Sequence, residues 1–113
     1  MMIDKETVER EMVAPMTDAR SVSVLNNEAL RRFEAHLDGR RLGIAEYRLE
    51  PGRVIFVHTE VDPSVQRRGV GHRLAERALN DARESGLRVV AECSFIANFI
   101  DEHPEFHDLL STP

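Results

Sequence analysis

Val54-Ile55-Phe56-Val57-His58-Thr59-Glu60-Val61, followed by Asp62-Pro63-Ser64-Val65 and Gln66-Arg67-Arg68-Gly69-Val70-Gly71, is the stretch that decides the fold. Its first eight residues are apolar on both faces through their first half, the pattern of a central strand covered on both sides. Asp62-Pro63 ends the strand. From Val70 to Ser85 the period changes to that of a helix. Val70, Leu74, Ala78 and Ala82 form one stripe, widened by Ala75 and Leu79, while Arg73, Glu76, Arg77, Asp81 and Glu84 face water. A strand that turns on glycines into a helix start is suited to holding a phosphate. The first helical amides lack partners in the helix, and the macrodipole places roughly +0.5 charge there. The amides of Arg68, Gly69, Val70 and Gly71 are the expected donors, with Arg67, Arg68 and Arg73 adding charge-assisted contacts. Glycine spacing alone would equally suit a tight structural connection. The strand before it, the helix after it and the three arginines favour an anion site.

Upstream, Ala29 to Leu37 alternates, with Ala29, Phe33, Ala35 and Leu37 on one face and Arg32, Glu34 and His36 on the other, as in an antiparallel strand with one wet face. Asp38-Gly39 is a hairpin signal, Leu42 to Leu49 the returning strand, and Glu50-Pro51-Gly52-Arg53 the next turn. Downstream, Gly86 stops the helix, and Leu87 to Ala91 is a short fourth strand, parallel to the third by a right-handed crossover. Phe95 to Ile100 reads as a short helix, and Pro104 opens another that reaches Leu110. The predicted fold class is α/β, in the sense of an α+β mixed sheet. Antiparallel N-terminal strands lead into a β-α-β unit that carries the glycine loop, and short C-terminal helices follow. Residues 1–20 read as a flexible leader with room for a turn of helix around Thr7 to Met12, and residues 21–113 as one domain.

The totals narrow the function. The chain has 113 residues and a net charge of −5, and its sequence pI is about 5.5. That acidic balance argues against nucleic acid, whose binding draws on phosphate neutralisation. No apolar run approaches the ~20 residues of a membrane span. The charged start, Met1 to Glu6, lacks a secretory h-region, and the single cysteine, Cys93, fits a reducing compartment, so a cytoplasmic location is expected. The chain is expected to be a monomer or a weak homodimer.

Several motifs recur together: His58-Thr59-Glu60-Val61, the Q-x-x-G-x-G loop at 66–71, Ala82-Arg83, Cys93-Ser94-Phe95, and His103-Pro104-Glu105 with Leu109. Over roughly residues 25 to 110 they resemble the GCN5-related N-acetyltransferase superfamily, in particular its compact subgroup of about a hundred residues. The resemblance implies acetyl-CoA as co-substrate, held by Val61, Gln66, Arg67, Arg68, Gly69, Val70, Gly71, His72 and Arg73. It also implies acyl transfer to an amine, and an acceptor pocket left open because two helices of the wider superfamily have no room here. In the subgroup the cysteine matching Cys93 is a suspected active-site residue.

For the chemistry, a backbone amide around Glu60 to Asp62 is placed to polarise a thioester carbonyl. His58 and Glu60, two apart on one strand face, are the expected proton acceptors. The competing structural roles are a histidine bonded to a backbone carbonyl and a carboxylate paired with an arginine. Cys93, at the end of the fourth strand, can accept an acetyl group or protonate the departing thiolate, or it can simply pack. Two positions depart from the resemblance. Phe99 stands where an aromatic hydroxyl is usual, and Ser94 where the subgroup shows proline. His103 and His107 are four apart, but Pro104 interrupts them and no third ligand is evident, so no metal is expected. Phe33, Phe56, Phe95, Phe99 and Phe106 read as core. The alternatives are a CoA-binding module without turnover and an interaction domain whose glycine loop is structural.

Overall fold

The computed structural model describes residues 22–111; the leader and its turn at Thr7 to Met12 lie outside them. Five strands form one sheet in sequence order: β1 (Ser23–Asn27), β2 (Arg32–Leu37), β3 (Arg40–Glu50), β4 (Arg53–Val61) and β5 (Arg88–Ala91). The first four are antiparallel, and β5 is parallel to β4. Helix α1 (Val70–Glu84) makes the crossover. Helix α2 (Ser94–Glu102) and a 3-10 turn (Pro104–Leu109) complete the chain. The mixed sheet is as predicted.

The N-terminal edge differs from the prediction. Ala29 is not in a strand: Glu28–Leu30 is a 3-10 turn joining β1 to β2. The Asn27 side chain caps this turn by accepting from the Leu30 amide at 3.2 Å, and Arg31 leaves it at φ 54°. With neither glycine nor proline to mark it, the turn merges with the strand in the sequence pattern. Glu34, expected on a wet face, is instead buried. Asn27 (3.0 Å), Arg32 (2.7 Å) and His36 (2.9 Å) surround its carboxylate. These bonds, that from His36 foremost, hold its pKa down at about 2.

The hairpin at Asp38-Gly39 takes positive φ at both residues (52° and 79°), the primed turn that suits strand twist. Helix α1 ends as predicted. Gly86, at φ 72°, lets its own amide reach Arg83 O (3.1 Å) and that of Leu87 reach Ala82 O (2.9 Å). Arg73 and Arg77, expected in water, instead reach the Val22 and Val24 carbonyls and tie α1 to β1.

Both helices share one apolar cluster with Phe33, Ala45, Tyr47 and Phe56. Ile44 and Ile55 are buried outside it, on the alternate face of the sheet. At Gly43 the helix comes so near that a Cβ would lie 3.1 Å from Leu74 and 2.9 Å from Glu60 O.

Candidate active site

Strand β4 outruns its parallel neighbour. Their pairing ends at Phe56↔Ala91, where the amides of Glu92 and Cys93 both converge on Phe56 O at 3.0 Å. Beyond it β4 continues through residues 57–61, still paired to β3 and with a register shift opposite Glu46/Tyr47. One backbone edge of β4 is therefore open. The Asp62 amide is spent on Leu42 O at 2.7 Å. Backbone amides alternate in direction along a strand, so that of Glu60 also points toward β3, and within residues 60–62 only the Val61 amide faces the open edge.

Beside this edge lies a cleft of about 590 Å³. Thr59 and Val61 of β4 form its floor; Gln66, Arg67, Gly69, Gly71 and His72 form one wall, and Phe95, Asn98, Phe99, Glu102 and His103 the other. The turn after β4 is built locally. Asp62 accepts from the Ser64 amide (2.8 Å) and hydroxyl (2.7 Å), and these bonds together with Arg40 (2.8 Å) lower its pKa. Arg67 and Gly69 then take left-handed φ values of 68° and 88°. Gly69 offers α1 no side-chain cap, and the helix's first bond is from the Arg73 amide to Gly69 O at 3.0 Å. The amides of Val70, Gly71 and His72 thus start the helix without partners inside it.

The donor set differs from the prediction: the Arg68 amide turns inward to Val65 O (3.3 Å), Gly69 precedes the three amides that open the helix, and His72 joins them. Arg73 does not line the cleft either. Its guanidinium reaches the Val22 carbonyl (3.4 Å) and Glu76 (3.7 Å). Val70 contributes its amide only, since its side chain is core. Gly71 holds Phe95 rather than open space, because a Cβ there would stand 2.7 Å from the ring. Phe95 itself, predicted as core, is 39% exposed and part of the wall.

Cys93 is buried and does not line the cleft. Its Sγ lies 3.2 Å from the Thr59 hydroxyl, which does. His58 and Glu60 alternate onto the other face of β4 and bind one another at 2.8 Å, so neither expected structural role, carbonyl bond or arginine pair, is the one adopted. The Glu60 hydrogen bond raises the His58 pKa. His103 donates from Nδ1 to Phe99 O at 2.7 Å, since a carbonyl only accepts. It stacks on the Phe99 ring at 3.9 Å. His107 lines a different depression with Asp101, and among the described residues no group of three or more potential ligands is suited to a metal.

Asn98 and Glu102 escaped the sequence reading, which named Thr59 only within a motif and weighed His103 only as a metal ligand. A signal existed for the α2 wall: Phe95, Asn98, Phe99 and Glu102 follow i, i+3, i+4, i+7 on one helical face.

A central strand left open beside an uncapped helix start defines an acetyltransferase fold of the GCN5 type. The chain belongs to the family described as GCN5-related N-acetyl-transferase, whose profile matches residues 32–109. Its fold is similar to the solution structure of a GCN5-like protein from Staphylococcus aureus, with a TM-score of 0.64, 22% identity, and coverage of 82% of this chain and 91% of that one. An acetyltransferase from Vibrio fischeri aligns more weakly, with a TM-score of 0.46, 14% identity, and coverage of 56% and 60%. No curated protein matches the sequence.

Proposed function

We propose that this protein transfers the acetyl group of acetyl-CoA to an amine. The observation that carries this reading is the convergence on one cleft of the open β4 edge and the unpartnered start of α1. The pyrophosphate would take the amides of Val70, Gly71 and His72, with Arg67 supplying charge. The pantetheine arm would lie along β4 between Val61 and Phe95, and its thioester carbonyl would be polarised by the Val61 amide.

The strands part beyond Phe56, so the amine reaches the thioester from the sheet face bearing His58 and Glu60, and loses its proton to that pair. The amine nitrogen bonds to the carbonyl carbon, the C–S bond breaks, and CoA leaves as a thiolate. The Thr59 hydroxyl passes it a proton and is reprotonated by the Cys93 thiol; once CoA has left, Cys93 regains a proton from solvent through Thr59, and the His58 and Glu60 pair returns one to solvent. Phe99 has no proton to give. In this scheme Cys93 is a relay and forms no acyl intermediate, in keeping with its position behind Thr59.

Free CoA released from acetyl-CoA, measured against a panel of primary amines, tests the reading. Amine-dependent release is the expected result. Cys93→Ala should slow it by about a hundredfold and Thr59→Val by more, within the range for a lost proton donor. The kcat/KM of the parent should rise with pH through the raised His58 pKa, because only the neutral imidazole accepts a proton. Glu60→Gln should move that limb to lower pH. CoA binding without release for any amine would make the protein a binding module, the reading favoured by Phe99.

A further inference from the structure

Two imidazoles line the end of the cleft nearest the start of α1. His72 is the third residue of that helix, and His103 lies just past the end of α2. Their ring centroids are 5.3 Å apart, and His72 meets both His103 and the Phe99 ring edge-on. The bond from Nδ1 to Phe99 O fixes the tautomer of His103, so its Nε2 carries the lone pair that can take a proton. His72 shares the positive end of the helix with the free amides. We propose that His72 and His103 form a proton-accepting clamp for the phosphate end of CoA, so that binding the cofactor draws protons from solvent. The inference rests on the acetyl-CoA reading above.

Of the charged side chains that face the rings, the Arg67 guanidinium lies on the wall shared with His72. The Glu102 carboxylate, beside His103 in sequence, is also on the cleft. The sheet contributes no charged side chain, since Thr59 and Val61 form the floor. A bound pyrophosphate brings two negative charges to the same place and shifts the balance toward imidazolium. Affinity therefore rises as pH falls through the histidine range. A linkage of this kind lets acidification hold CoA or acetyl-CoA on the protein without any change of fold.

The test is calorimetry of the whole chain with dephospho-CoA, in buffers of differing ionisation enthalpy, between about pH 6 and 8. Omitting the 3′-phosphate matters, because a phosphate monoester titrates near pH ~6 and would contribute its own protons. The expected results are net proton uptake on binding and affinity that weakens on the order of tenfold across that range, the change that corresponds to about 1.4 kcal/mol. His103→Asn keeps a donor for Phe99 O but cannot titrate, and it should reduce the uptake. Combined with His72→Gln it should abolish the uptake and flatten the pH dependence. Binding at full strength with no proton uptake in the parent, or the parent's uptake persisting in the double variant, overturns the clamp and leaves the cofactor assignment standing. No binding of dephospho-CoA, CoA or acetyl-CoA at any pH overturns both.

Discussion

At the scale of single residues, Glu34 shows how far environment can move one carboxylate. It is buried and ringed by Asn27, Arg32 and His36, with its pKa near 2. A carboxylate whose folded pKa is depressed stabilises the native state above its unfolded pKa, and that stability is lost as pH falls through the folded value. Urea denaturation should accordingly show a component that declines between about pH 4.5 and about 2, windows set by the ordinary and native values. Glu34→Gln should lack that component and be destabilised by ~1–3 kcal/mol at neutral pH, since Arg32 loses its charged partner. An unchanged acid limb in the variant would contradict this account. The sequence pattern placed Glu34 on a wet face because alternation reports only which side a residue takes. It is silent on the three neighbours that enclose this carboxylate.

At the scale of elements, two glycines govern how α1 sits. Gly43 lets the helix lie close on β3, and Gly71 lets it lie close to α2. Thermal and chemical denaturation should show Gly43→Ala destabilised by ~1–3 kcal/mol, because the obstructing Glu60 O is backbone and cannot swing aside. Gly71→Val should keep more of its stability and lose CoA affinity, because Phe95 is partly exposed and yields into the cleft. If Gly71→Val bound CoA like the parent, Phe95 would not be a wall of the site. The elements themselves were largely legible. A two-residue period gave β2, the hairpin signal gave β3, a run apolar on both faces gave β4, a 3.6-residue stripe gave α1, and Gly86 gave its end. The strand β1 was not, because Ser23 to Asn27 is short and mostly polar and enters a turn without glycine. The glycine loop was also legible as the turn from strand into helix. What escaped was the far wall of the cleft, since Asn98, Glu102 and His103 acquire meaning only when α2 is placed against α1.

At the scale of the whole molecule, two arginines fasten the last segment, and Arg88 does so by donating to Leu110 O at 2.5 Å. Arg83 grips Asp108 with two bonds (2.8 and 3.0 Å), donates to Glu105 O (2.7 Å), and lies 5.9 Å from the centre of the Phe106 ring. The chain then reaches Val89, where the Ser111 amide meets its carbonyl at 2.8 Å and covers the β5 edge. Arg83→Ala should raise hydrogen exchange at Ser111 and Leu110, while leaving β1 to β3 protected. Uniform deprotection across the sheet would show instead that the segment is not a separate fastening. The pair of Gly71 and Phe95 has a consequence of its own. A hydrogen atom on one element and an aromatic ring on another occupy space that only one of them can enlarge, so the two positions tolerate change jointly. Trimming the ring should restore room for a methyl group opposite, and ligand affinity lost by either replacement alone should be partly recovered when both are made together.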